Sequence, residues 1–277
     1  MEENVNTTSI VMCFSGTDPT GGAGIQADIE TLAGMGCHAT PVVTSVTAQD
    51  TQNVKGVAPM DLTIIVEQAR AVLEDMPVHG FKIGLLGSVE AVEAVHSILR
   101  DYPGAPVVLD PVLRSGSGEE LADPEIQDAI CQLLVPECTI ITPNSDEARM
   151  LCHEADTLDA CAHELMDMGA EYVLLTGTHE NTPMVVNTLY GNNRYMDKYE
   201  WERLPHVYHG SGCTLASALA GLLAQGLDPM AAAREAQDFT WHSLKAATRL
   251  GMGQHIPNRF FWAVGEESEE EGVEEEV

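Results

Sequence analysis

Short runs of β-branched and aliphatic residues alternate along the chain with longer stretches of helical length. Ser9 to Phe14, Thr40 to Thr47, Phe81 to Leu85, Val107 to Leu109, Thr139 to Ile141 and Tyr172 to Leu175 read as strands, because short apolar runs bounded by turn signals suit strands covered on both faces. Between them, Ala23 to Met35, Leu62 to Asp75, Glu90 to Arg100, Pro124 to Leu134 and Leu158 to Met168 read as helices. Such alternation is the pattern of βαβ units, which build a mostly parallel sheet with helices on both faces. After Gly177 the pattern changes to a strand pair, Met184 to Tyr190 and Arg194 to Lys198, turning at Gly191, Asn192 and Asn193. Two helices close the chain, one from near Cys213 to Ala224 and one over roughly Pro229 to Leu250. With no repeat, linker or composition break before an acidic end, residues 1–264 are expected to form one α/β domain, and residues 265–277 a disordered tail.

Charge narrows the partners. The 277 residues carry 43 acidic and 13 basic side chains, a formal net charge of -30, which repels nucleic acid and anionic membranes alike. The tail holds eight Glu, so about -22 stays on the rest of the chain. That excess suits a salt-rich cytoplasm or a general solubility bias. None of the seven cysteines sits in a CxxC pair, and His206 and His209 have no third ligand at metal spacing, so neither a disulfide framework nor a zinc site is expected. The opening residues MEENVNTTS lack a basic region followed by an apolar segment, and no apolar window is long enough to span a bilayer. A cytoplasmic compartment with no membrane partner is the expectation.

Three segments carry candidate chemistry. Ser15 to Gly24 places four glycines between the first strand and first helix, either a ligand-approaching loop or an ordinary glycine turn. It is neither a GxGxxG fingerprint nor a Walker loop. His209-Gly210-Ser211-Gly212-Cys213-Thr214 stands before a helix of small residues. Gly210, Ser211, Gly212 and Cys213 can converge their backbone N–H groups at that helix start into an anion hole for a phosphoryl group. The same helix start should favour the Cys213 thiolate as a proton acceptor, the alternative being a buried structural cysteine. In Thr142-Pro143-Asn144-Ser145-Asp146-Glu147, Asn144 and Glu147 lie three apart, so they can turn together toward water-bound Mg²⁺ or simply cap a helix. Asp110, after the strand Val107 to Leu109, is a further metal-side acid or a turn former.

In this order and spacing, SGTDPTGGAGIQADIETLAGMG, VVTSVTAQDT, KIGLLGS, VLDPV, ITPNSDEA and HGSGCTL resemble the ribokinase-like vitamin kinases, most closely the hydroxymethylpyrimidine/phosphomethylpyrimidine kinases, over about Ile10 to Trp262. The resemblance implies a three-layer α/β/α fold around a mostly parallel sheet, a homodimer, and two successive phosphorylations of an aminopyrimidine alcohol by ATP with Mg²⁺. It implies pyrimidine contacts from Gly16, Asp28 and Gln49, with Leu85 and Val112 packing the ring. Gly210 to Cys213 would form the anion hole with Cys213 as base, and Asn144 with Glu147 would serve the magnesium and phosphate side. Two lysines usual in the family are missing, since the chain has Arg114-Ser115-Gly116 and Thr176-Gly177-Thr178-His179 at those places. More of the transition-state charge then falls on the anion hole and Mg²⁺, with Arg114 as a substitute of different geometry. Pyridoxal kinase is the alternative enzyme, and a pyrimidine-binding regulator without turnover is the alternative of another class.

Overall fold

The computed structural model describes residues 8–116 and 118–263; the expected acidic tail, 265–277, lies outside the described residues. One sheet contains β1 (Ile10–Gly16), β2 (His38–Gln49), β3 (Val54–Pro59), β4 (Gly80–Ile83), β5 (Val107–Leu109), β6 (Ile140–Ile141), β7 (Tyr172–Leu175), β8 (Met184–Gly191) and β9 (Arg194–Glu202). Their order is β3-β2-β1-β4-β5-β6-β7-β8-β9. Neighbours from β2 across to β7 are parallel, while β3, β8 and β9 pair antiparallel at the two edges.

The helices are α1 (Gly24–Gly34), α2 (Leu62–Leu73), α3 (Val89–Arg100), α4 (Pro124–Ala129), α5 (Ser145–Leu151), α6 (Leu158–Asp167), α7 (Ser211–Ala224) and α8 (Pro229–Lys245). Successive side chains of a strand point to opposite faces, so β1 serves two cores. Met12 and Phe14 pack with Ile65 of α2, Ile98 of α3 and Leu165 of α6, whereas Val11 and Cys13 pack with Leu32 of α1, Leu219 of α7 and Ala236 of α8. The expected three-layer α/β/α architecture is present. Among the described residues no helix is long and apolar enough to cross a membrane.

Three local readings differ. Strand β3 was not anticipated, because its exposed edge position leaves Val54 to Pro59 without a clean alternation. The single helix expected over Pro124 to Leu134 is regular only to Ala129, then widens into a π turn over Ile130–Leu134 before Pro136. The last helix ends at Lys245 instead of Leu250, because Thr248 exchanges backbone hydrogen bonds with Ile256 at 3.0 and 2.9 Å.

Capping separates the helices. Asp61, Ser88, Asp123, Thr157 and Asp228 cap α2, α3, α4, α6 and α8 with their side chains. The starts of α1 and α7 have no side-chain cap, so their first amides are left to other partners. Both of these helices begin at the carboxyl ends of the central strands, where ligands bind in open α/β sheets.

Candidate active site

Residue parity in β4 turns Phe81 and Ile83 to one core and sends Lys82 to the α1/α7 side, in register with Cys13 of β1. Lys82 is fully buried there, its Nζ 2.9 Å from Oδ1 of the equally buried Asp28 of α1. Ser217 of α7 donates to the same carboxylate oxygen at 2.7 Å. Asp110, just past β5, and Cys213, in the first turn of α7, act on this ion pair electrostatically. Burial alone would lower the lysine pKa, but Asp28, Cys213 and Asp110 raise it above its ordinary value, so the ammonium stays charged. Lys82 was not singled out from the sequence. Its signal was a cation inside an apolar strand run, a residue type almost never fully buried unless paired.

The cluster is under-satisfied in one direction. Asp28 Oδ2, Asp110 Oδ2, Ser15 Oγ and Ser45 Oγ are buried without a hydrogen-bond partner among the described residues, and Lys82 Nζ has its ion pair but no well-formed hydrogen bond. Several such atoms at one end of a sheet mark a place prepared for a polar ligand.

Two glycine loops close around it. A Cβ on Gly16 would lie 2.6 Å from Ser45 Oγ and 3.1 Å from Leu85 Cδ2, so Gly16 and Leu85 are neighbours. Gly210, at φ 75°, is the left-handed start of α7, and a Cβ there would run into the Gly22 carbonyl oxygen. His209 clamps the two loops, its Nε2 2.9 Å from Asp18 Oδ2. Asp18 in turn accepts from the Thr20 and Ala23 amides. Burial would raise the Asp18 pKa, but the His209 hydrogen bond and those amides hold it below the usual value. Gln49 ends β2 opposite Val54, four residues beyond Ser45 on the hairpin, and the Val112 amide donates to the Asp110 carbonyl at 2.8 Å. Arg114 is exposed, and its backbone forms an isolated antiparallel β-bridge with Glu120.

A Gly16→Ala variant should lose about 1–3 kcal/mol of stability, toward the lower end because the Ser45 hydroxyl can rotate away. The displaced Ser45 and Leu85 should weaken binding at this end of the sheet, raising KM more than they lower kcat. Urea denaturation together with steady-state kinetics checks this, and an unchanged KM would remove Gly16 from the candidate binding site.

The thiolate expectation for Cys213 is corrected. Burial, helped by the Asp110 and Asp28 carboxylates, pushes the thiol up to about 12, against Lys82 and the Gly24 N–H, which lower it. The start of α7 is a partial charge, and a desolvated site with two full negative charges outweighs it. Of the two arrangements open to Asn144 and Glu147, the substrate-free protein forms the helix cap. Asn144 Oδ1 accepts from the Asp146 and Glu147 amides and Glu147 Oε2 accepts from the Asn144 amide, all at 2.9 Å, a closed capping box.

Glu147 instead answers to Asp110. Burial and then Asp110 raise the Glu147 carboxyl from 4.5 to about 8. Burial also lifts Asp110 from 3.8 to about 6, with Asp28 adding to the rise and Lys82 and the Cys213 thiol opposing it. No cage of three or more His, Cys, Asp or Glu side chains exists among the described residues. A hydrated Mg²⁺ needs only one or two carboxylates besides phosphate oxygens, so two buried carboxylates fit this ion.

Without Mg²⁺, stability should fall as pH rises from about 4 to 8, because across that window both carboxyls bind more protons folded than unfolded. Saturating Mg²⁺ should flatten the slope, and Glu147→Gln should reduce it without metal. Thermal melts at pH 5 and 8 measure it, and a melting temperature rising with pH in the metal-free protein contradicts it.

The fold and this site define a phosphotransferase of the ribokinase-like class. The phosphomethylpyrimidine kinase family model matches residues 18–258, and the chain belongs to that family. A hydroxymethylpyrimidine/phosphomethylpyrimidine kinase of Streptomyces coelicolor is 34% identical over 268 residues, 94% of this chain and 97% of the relative. The pyridoxal kinase of Bacillus subtilis, solved as an ADP complex, superposes with a TM-score of 0.84 at 28% identity, covering 92% of this chain and 99% of that one. A phosphomethylpyrimidine kinase of Clostridium difficile 630 gives a TM-score of 0.73 at 32% identity, covering 84% and 98%.

Proposed function

We propose that the chain transfers phosphate from ATP to 4-amino-5-hydroxymethyl-2-methylpyrimidine and then to its monophosphate, yielding the diphosphate used in thiamine biosynthesis. The observation that carries this reading is the cluster of buried Asp28, Lys82 and Asp110 with the half-buried Cys213 beneath two glycine loops, in a chain of this family. Asp28 Oδ1 is committed to Lys82 and Ser217, which leaves Oδ2 to accept from the pyrimidine amine. Gln49 reaches the ring from the hairpin, and Gly16, Leu85 and Val112 pack its faces.

The first-turn amides from Gly210 to Cys213 receive the transferring phosphoryl group, and Cys213 accepts the proton of the substrate hydroxyl only once substrate binding has displaced the thiol proton that burial and the Asp110 and Asp28 carboxylates hold in place in the free protein. Asp110 and Glu147 would hold Mg²⁺, which when bound supplies charge neutralisation of the phosphates. Asn144 positions Glu147 through the capping box at the nucleotide side. Lys82 supplies a fixed buried cation at a site lacking the two family lysines. The kinase acts as one domain over 1–264, in the cytoplasm, as a homodimer.

The test is ADP release from MgATP with the hydroxymethylpyrimidine, its monophosphate and pyridoxal in parallel. Turnover on both pyrimidines supports the proposal. Turnover on pyridoxal alone moves the chain to the second reading, which the likeness to the Bacillus subtilis enzyme favours. Pyrimidine binding without turnover makes it a regulator.

A further inference from the structure

Arg259, from the loop after α8, has the largest side chain among the fully buried residues, and its guanidinium threads between α1 and α7. Its Nε donates to Thr214 Oγ1 at 3.0 Å, one terminal nitrogen to Gly21 O at 3.4 Å and Glu30 Oε2 at 3.0 Å, and the other to Gly22 O at 2.6 Å. A guanidinium offers five donors in a rigid fork, and this one ties both glycine loops to one point.

Thr214 carries the contact onward. Its hydroxyl accepts from Arg259 and donates to the Gly210 carbonyl at 2.9 Å, and its amide also donates to that carbonyl at 2.9 Å. A trans peptide is planar, so its C=O and N–H point in opposite directions. Holding Gly210 O back toward Thr214 therefore directs the Ser211 N–H forward, out of the start of α7. The same fork draws in the Gly21 and Gly22 carbonyl oxygens, whose negative ends would otherwise oppose an anion beside Gly210.

We infer that Arg259 is a positioning residue for phosphoryl transfer, acting through Thr214 and the Gly210 carbonyl to aim the Ser211 amide at the transferring group. The inference rests on the kinase reading above and goes beyond it. It assigns the residue no contact with substrate.

The experiment compares Arg259→Lys, Thr214→Val, Thr214→Ser and the double variant Arg259→Lys/Thr214→Val. Two readouts are used: steady-state kinetics with the best alcohol substrate, and calorimetric affinity for ADP with and without aluminium fluoride, a planar phosphoryl mimic. The expected result is a kcat lowered roughly 10- to 100-fold in Arg259→Lys and Thr214→Val, less than for deleting an oxyanion donor outright. KM for the alcohol should stay within about twofold, the gain in affinity from aluminium fluoride should shrink in step with kcat, and Thr214→Ser should behave as wild type. Because the two residues form one relay, the double variant should lose no more than the worse single one.

Lower melting temperatures with unchanged kcat in the folded protein would show a structural strap only and overturn the inference. So would additive losses, or a Thr214→Ser variant as poor as Thr214→Val. Wild type inactive on every alcohol removes the kinase reading, while the ADP and aluminium fluoride affinities still decide the relay on their own. No gain in wild-type affinity from aluminium fluoride overturns it.

Discussion

Exchanging Lys82 for Met should destabilise the protein by about 3–5 kcal/mol near pH 8, the usual cost of removing one partner from a buried ion pair. Lys82 and Asp28 are both fully buried at 2.9 Å, and Asp110 acts on the same ammonium. Without the lysine, Asp28 keeps only the Ser217 hydroxyl. Asp110, already raised by burial and held down by the Lys82 ammonium, then rises further above its unfolded value. The variant's deficit should accordingly be smallest near pH 4 and grow as pH rises through the raised value. Urea titrations at pH 5 and 8 separate this from lost packing, which is independent of pH. A second substitution, Asp28→Asn, should recover part of the stability but not the activity, since an amide offers one acceptor oxygen where the acceptor proposed for the pyrimidine amine has two. A deficit equal at both pH values would show that Lys82 is not the counter-charge of the site.

Cys213→Ala should lower kcat by roughly 10²- to 10⁴-fold, the range for losing a positioned proton acceptor, with KM for ATP and pyrimidine within a few-fold. In the substrate-free protein the Cys213 thiol should show no alkylation inflection below about pH 9, because burial and two carboxylates hold it protonated. Peptide-level mapping after iodoacetamide treatment follows Cys213 apart from the other six cysteines. An inflection near neutrality would restore the helix start as the dominant influence. Full activity in Cys213→Ala would pass the proton to another group, Asp110 being next to it electrostatically.

The alternation of short apolar runs with helical stretches was enough to read the parallel sheet and its two helical layers, because period and turn chemistry are properties of neighbours along the chain. The same holds for the two glycine loops and the start of α7. Edge strand β3 escaped, since an exposed edge carries little alternation. Asn144 and Glu147 form a helix cap in the structure, and Asp110 is the acid that acts on Glu147. Their spacing suits both a cap and a metal pair, and only the placement of Asp110 beside Glu147 distinguishes the two.

By itself, then, the sequence determined the fold class, the family and the segments that carry chemistry, all of which are encoded locally or as motifs in register. Tertiary structure decided what those residues are electrically. Lys82 of β4 meets Asp28 of α1, 54 positions away, burial together with Asp110 and Asp28 reverses the expected state of Cys213, and Arg259 comes back from the far end of the chain to hold the loops. Burial and long-range charge set protonation in a low-dielectric interior, and neither can be read from the order of residues alone.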